Sequence, residues 1–247
     1  MKTYKAGFCL LCFCVSTALA GEPGPINTER PSFSSSPLAL PTGYWQIETG
    51  YQFTRDDDEG SLKEHSLPSA LLRYGFYKNL ELQLGSVSYL WQETGELDTN
   101  GFQDASLGLK WQINSSESVV PVGLYAGLSL PVGSSGFTSE DYTPSTAIFW
   151  SHSGSLDWFG AANLAYSDDS FTLDNAAGIS FSLPGDTHAF LEYLGNFQED
   201  EGPGHNLNMG ASWLLSQDLQ LDINGSVGLN TRANDYSAGA GLSYRFK

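Results

Sequence analysis

The stretch that decides the fold is the last one, Tyr236-Ser-Ala-Gly-Ala-Gly-Leu-Ser-Tyr-Arg-Phe246. Successive side chains alternate across an extended strand. Tyr236, Ala238, Ala240, Leu242, Tyr244 and Phe246 therefore share one face, and Ser237, Gly239, Gly241, Ser243 and Arg245 share the other. Aromatic residues close both ends of the apolar face, while its reverse is small or charged. A strand with hydrocarbon on one side and a wet lumen on the other has this pattern.

Outward from that strand, the same alternation recurs in about twelve segments of the roughly 9–11 residues that a tilted spanning strand needs. They fall near 43–55, 66–76, 80–91, 103–113, 119–131, 143–152, 157–166, 171–183, 187–197, 205–215, 218–229 and 236–246. In the first, Trp45, Ile47, Thr49, Tyr51 and Phe53 share a face; in the eleventh, Leu219, Leu221, Ile223, Val227 and Leu229 do. The connections alternate in kind. Tyr77-Lys78-Asn79, Pro184-Gly185-Asp186 and Ser216-Gln217 are short, whereas Asp56 to Glu64, Glu93 to Gly101, Ser134 to Tyr142 and Gln198 to Gly204 are longer and mostly acidic. Short periplasmic turns and longer extracellular loops are the asymmetry of outer-membrane barrels. A soluble β-sandwich has no reason to produce it. The pattern predicts an all-β fold over 43–247, an antiparallel transmembrane β-barrel of about twelve strands. A soluble secreted β protein is the competing fold. Trp45, Trp91, Trp111, Trp150, Trp158 and Trp213 lie near strand ends, where an interfacial aromatic girdle would sit.

Residues 1–20 read as a secretory signal peptide. Lys2 and Lys5 supply the basic start, Gly7 to Thr17 a short apolar run, and Ala18-Leu19-Ala20 the cleavage site. All of Cys9, Cys12 and Cys14 lie inside it, so the exported chain has no disulfide, thiolate metal site or cysteine nucleophile. Export through a cleaved signal peptide and the strand pattern together point to the bacterial outer membrane. Residues 21–42 carry Pro23, Pro25, Pro31, Pro37 and Pro41 around a Ser-rich middle and read as an irregular arm before the first strand. With 28 acidic against 11 basic residues, the formal charge is −17, which repels nucleic acid.

A resemblance emerges at Thr28-Glu29-Arg30-Pro31-Ser32-Phe33 and at Leu40-Pro41-Thr42-Gly43-Tyr44-Trp45-Gln46-Ile47-Glu48-Thr49-Gly50-Tyr51. It continues through Arg73-Tyr74-Gly75, Gln103-Asp104, Gly108-Leu109-Lys110-Trp111, Leu130-Pro131-Val132-Gly133, Glu192-Tyr193 and Gln220-Leu221-Asp222. In these pieces the chain resembles the MetA-pathway phenol-degradation family of outer-membrane proteins, often called simply transporters. Glu29 and Val132 depart from the family's usual aspartate and threonine, and Lys247 follows the terminal aromatic that barrel-assembly machinery reads. The resemblance implies passage of small organic solutes, aromatic or hydrophobic ones included, across the outer membrane.

Strand phase sorts the charges. Glu48, Arg73, Glu81, Asp104, Lys110, Asp174, Glu192, Asp222 and Arg245 all fall opposite the apolar face. A basic side chain facing lipid near the midplane costs roughly 2–4 kcal/mol, so the lumen is their expected home. Two readings stand for them, and both can hold: ion pairs that stabilise the barrel, or a polar constriction that selects permeants. Glu48, Arg73, Asp104, Lys110, Glu192, Asp222 and Arg245 are the selectivity candidates. Arg30 is the lone cation of the arm and the candidate for a plug, against a plain periplasmic tail.

Enzymes of this architecture use a His-x-Ser pair on a strand, but His152 is followed directly by Ser153. The four histidines are scattered without ligand spacing. Asp56-Asp57-Asp58-Glu59 lacks the spacing of a calcium loop; its acids are solvated or bridge lipopolysaccharide through divalent ions. No cofactor is implied. The expected partners are outer-membrane lipid and lipopolysaccharide, the barrel-assembly machinery during insertion, and a small organic solute. A surface-binding barrel and a lipid hydrolase are the alternatives to a channel.

Overall fold

The computed structural model describes residues 23–57, 61–85, 88–139, 141–167, 169–199 and 202–247. The expected leader, 1–20, and the acidic Asp58-Glu59 lie outside the described residues. The strand segments are β1 (Trp45–Asp56), β2 (Leu62–Tyr77), β3 (Leu80–Gly85), β4 (Tyr89–Thr94), β5 (Leu97–Phe102), β6 (Ala105–Gln112) and β7 (Val122–Leu130). They continue as β8 (Thr143–His152), β9 (Asp157–Ser167), β10 (Ser170–Leu183), β11 (Thr187–Gln198), β12 (Gly204–Ser216), β13 (Leu219–Gly228) and β14 (Tyr236–Phe246). Each pairs antiparallel with its neighbours.

These segments make twelve staves. β2 pairs with β3 through Leu71↔Gly85 to Tyr77↔Leu80, and with β4 through Leu62↔Thr94 to Ser66↔Leu90. β3 and β4 are thus the lower and upper parts of one stave, and β6 and β5 are the corresponding parts of the next. The sheet closes where β1 pairs with both β2 and β14, the latter from Trp45↔Phe246 to Arg55↔Tyr236. Closure pairs the backbone around the ring of staves, as a bilayer requires, while β5 pairs in the sheet with β4 alone.

The barrel is inside out by soluble standards. Leu221, Ile223, Leu242, Tyr244 and Phe246 are exposed on the outer face, whereas Gln46, Glu48, Arg73, Glu192 and Ser243 are buried in the lumen. Hydrocarbon rather than protein is the environment that takes the apolar stripe. Ile223→Arg, near the middle of β13, is therefore expected to destabilise the barrel by about 2–4 kcal/mol. Asn224→Arg, one step along and facing inward, should cost less. Denaturant midpoints in detergent would compare the two.

Aromatic clusters mark both rims. At the short-turn end Trp45 stacks on Tyr74 with ring centroids 4.2 Å apart, and Tyr244 stacks on Phe246. At the other end Phe53 meets Tyr236, and Tyr166 meets Phe171. Tyr51 and Tyr193 each share a 2.7 Å hydrogen bond with a histidine, His65 and His205. Their polar tips are satisfied while the rings face lipid.

Short turns need residues that tolerate left-handed backbone. Asn79 between β2 and β3 has φ +62°, a conformation asparagine accepts more readily than most. On the opposite side, Glu93 to Gly101 is not an open loop. It is the tip and return of the β4–β5 hairpin, with Thr94↔Leu97 flanking a turn at Gly95, φ +62°. Glycine takes that φ without penalty.

Candidate functional site in the barrel lumen

Residues 23–44 form no strand, and they do not hang below the barrel. They enter the lumen from the short-turn end, cross it and return to start β1. At the way in, the Ile26 amide donates to the Gln217 carbonyl (2.7 Å), and Arg245 donates to the Gly24 carbonyl (2.8 Å). On the way out, the Gly43 amide donates to the Gly75 carbonyl (2.7 Å). The prolines and serines explain the irregular path, since a proline lacks the amide that a sheet ladder uses.

The barrel wall holds this arm through carboxylates that accept its backbone amides. Glu48 of β1 accepts from the Glu29 and Arg30 amides at 2.9 and 3.1 Å. Glu192 of β11 accepts from the Phe33 and Ser34 amides at 2.9 and 2.8 Å. Glu81 of β3 accepts from the Leu40 amide at 2.8 Å, and the Gln112 side-chain oxygen accepts from the Ala39 amide at 3.2 Å. Hydrogen bonds to charged groups contribute roughly 1.5–3 kcal/mol each, so this set seats the arm firmly.

Ion pairs complete the docking. Arg30, at the arm's inner tip, bonds Asp222 of β13 at 3.1 Å. It fits because Gly50 and Gly241 flank it: a Cβ on Gly241 would stand 2.2 Å from its Nε, and one on Gly50 would stand 2.6 Å from its Nη2. Arg73 of β2 is fully buried and serves three carboxylates, Glu81 as a fork (2.7 and 2.9 Å), Glu48 (2.8 Å) and Glu29 (2.9 Å). It also donates to the Asn27 carbonyl at 2.9 Å. Lys110 of β6 pairs with Glu29 and donates to the Ser36 carbonyl at 2.9 Å.

Of the seven selectivity candidates, Glu48, Arg73, Lys110, Glu192 and Asp222 thus converge on the arm inside the lumen. Two stand apart. Arg245 sits at the lower mouth, tied to Asp218 and Gly24 and lying over the Tyr44 ring at 5.7 Å. Asp104 lies at the upper rim between β5 and β6 and accepts from Gly133 and Ser139 at 2.8 and 2.9 Å. Burial works against its ionisation. Donors from Ser139, Gly133 and Thr138 outweigh that and hold its carboxyl below the ordinary aspartate range. Glu29, Gln46, Gln112 and Asn208 belong to the network and carried no signal of their own. A surplus of inward carboxylates over inward cations was the available hint that neutral donors must enter from elsewhere.

Among the described residues two cavities stand out beside the arm, and Phe33 lines both. The first, of about 250 Å³, is lined by Gln52, Asn208, Asn224, Ser226 and Ser237 with Arg30. The second, of about 240 Å³, is lined by Tyr125, Ala147, Phe149 and Ala161 together with Lys110, Asn163 and Asp174. Ala147, Phe149 and Ala161, joined by Ala176, are the buried apolar cluster of the lumen. His152, by contrast, bonds the Val119 carbonyl at 2.7 Å and stacks on Trp158.

Comparison with solved structures returns outer-membrane barrels. The COG4313 outer membrane channel from Pseudomonas putida F1 is 17% identical, with a TM-score of 0.59 over 85% of this chain and 97% of that one. The KdgM porin in complex with disordered oligogalacturonate is 13% identical, TM-score 0.55, over 82% and 99%. The translocator domain of the autotransporter NalP from Neisseria meningitidis is 10% identical, TM-score 0.53, over 84% and 90%. At these identities the likeness is one of fold. No curated protein matches the chain in sequence. The family model described as "Putative MetA-pathway of phenol degradation" matches residues 28–246, from the arm's Thr28 to the terminal Phe246, and the chain belongs to that family.

Proposed function

We propose that the chain is an outer-membrane channel for small organic solutes, with residues 24–44 acting as an inserted plug that restricts passage. The observation that carries this reading is the docking of the arm across the lumen, on Glu48, Glu81, Glu192 and Asp222 from well-separated staves. A barrel of twelve staves lies between eight-stranded barrels, filled by side chains, and open 16-stranded porins. An inserted segment is what narrows such a lumen. The apolar wall of Tyr125, Phe149 and Phe33 in one cavity supports aromatic or hydrophobic permeants. Arg30 anchors the plug tip, and the lumenal charges around it set the field that a permeant meets. The leader at 1–20 delivers the chain to the outer membrane, where the assembly machinery reads the terminal strand. The acidic loops face lipopolysaccharide.

Liposome swelling tests the reading. Vesicles containing the purified protein should swell in solutes of one aromatic ring faster than empty vesicles, and swelling should slow steeply for larger solutes. No solute-dependent swelling, from either the full chain or one lacking the arm, would favour a surface-binding barrel instead.

A further inference from the structure

We infer that the cavity between Phe33, Tyr125, Phe149 and Asp174 binds a small organic cation with an apolar or aromatic body. The inference deepens the channel reading, because the cavity lies in the same lumen beside the plug.

Charge bookkeeping within the lumen leads to it. Asp174 projects inward from β10 and accepts only amide donors, Asn196 Nδ2 at 2.6 Å and Asn163 Nδ2 at 3.3 Å. Among the described residues no cation pairs with it. Lys110 is the one cation in the cavity lining, and its charge is already committed. It shares Glu29 with Arg73, and Arg73 also serves Glu48 and Glu81. That cluster sets Lys110 and Arg73 against Glu29, Glu48 and Glu81, leaving it negative rather than positive. Nearby Glu192 likewise accepts only from amides, those of Phe33, Ser34 and Asn208. The field at the cavity is therefore negative from both sides, and low-dielectric walls concentrate it.

The remaining wall suits an organic rather than a bare cation. Phe33, Tyr125 and Phe149 present ring surface, and Ala147 and Ala161 add aliphatic surface. Aromatic faces attract ammonium groups; Lys110 itself stands 5.2 Å over the Phe149 ring. A volume of about 240 Å³ is below the ~300–1,000 Å³ typical of sites for drug-sized ligands, so a single ring with an aminoalkyl arm is the size that fits. The route in has the same sign, because the projecting β4–β5 hairpin carries Glu96 and Asp98 beside the Lys63–Glu93 ion pair. An aromatic anion of equal size meets repulsion at the rim and, among the described residues of the lining, only Lys110, which is already paired with Glu29. Arg30, in the neighbouring cavity, is tied to Asp222.

Titration calorimetry on the folded full chain in detergent, with benzylammonium, benzyl alcohol and benzoate, tests the assignment. Benzylammonium should bind at least about tenfold more tightly than either of the others, and more weakly as salt rises. Asp174→Asn should weaken it about tenfold, while Asp186→Asn in a short turn should leave it unchanged. Equal binding of all three ligands, tighter binding of benzoate, or no heat with benzylammonium would overturn the assignment. The ligand series on the unmodified protein decides the matter even if Asp174→Asn fails to fold. Binding is read without current, so a protein that fails to conduct but binds benzylammonium would sink only the channel reading.

Discussion

Deleting residues 22–40 is expected to raise the single-channel conductance of the reconstituted protein several-fold. The deletion removes the backbone that crosses the lumen and with it Arg30 and Glu29. The wall should survive, because its own ladders run unbroken around the closed sheet and do not use the arm. Glu48, Glu81 and Glu192 lose their amide donors, but water enters the vacated space and solvates them. The barrel should still show a folded, heat-modifiable band on electrophoresis. Single-channel recording in planar bilayers is the measurement. A conductance equal to that of the full chain would show that ions pass elsewhere and that the arm is no plug.

The second large effect concerns Arg73. Glu29, Glu48 and Glu81 are gathered around this single buried guanidinium. Arg73→Met would leave Glu48 and Glu81 without an ion-pair partner and Glu29 with Lys110 alone. Removing one partner of a buried ion pair costs about 3–5 kcal/mol, and here two carboxylates are stranded at once. The denaturant midpoint in detergent should fall accordingly. Arg73→Lys keeps the charge but loses the fork onto Glu81, so it should fall between the two. Combining Arg73→Met with Glu81→Gln should recover part of the loss, since the two sites share one network. A midpoint for Arg73→Met equal to that of the unmodified chain would mean that water already screens the cluster.

The wall was legible in the sequence because its environment has a period of two. Tyr244 and Arg245 cannot both face lipid, and that constraint repeats along each stave. The same phase placed Glu48, Arg73, Lys110, Glu192 and Asp222 inward, where the structure has them. Two features were less visible. The β4–β5 hairpin has Tyr89, Trp91 and Phe102 packed together at its base and Glu93, Glu96 and Asp98 toward its tip, so its apolar face is too short for the alternation to announce it. The arm's position was hidden for a different reason. It docks through amides of Glu29, Phe33, Ser34 and Leu40, and a backbone donor looks the same in every residue. Its composition spoke of an irregular path and was silent about where that path runs.

The seam between β1 and β14 has a consequence for biogenesis. β1 is made well before β14, with every other stave of the wall between them in the chain. A product stopped short of Tyr236 could never zip shut, and hydrocarbon would meet two rows of naked peptide groups. Without β14 the wall stays open, and a shortened chain would not form a smaller closed pore.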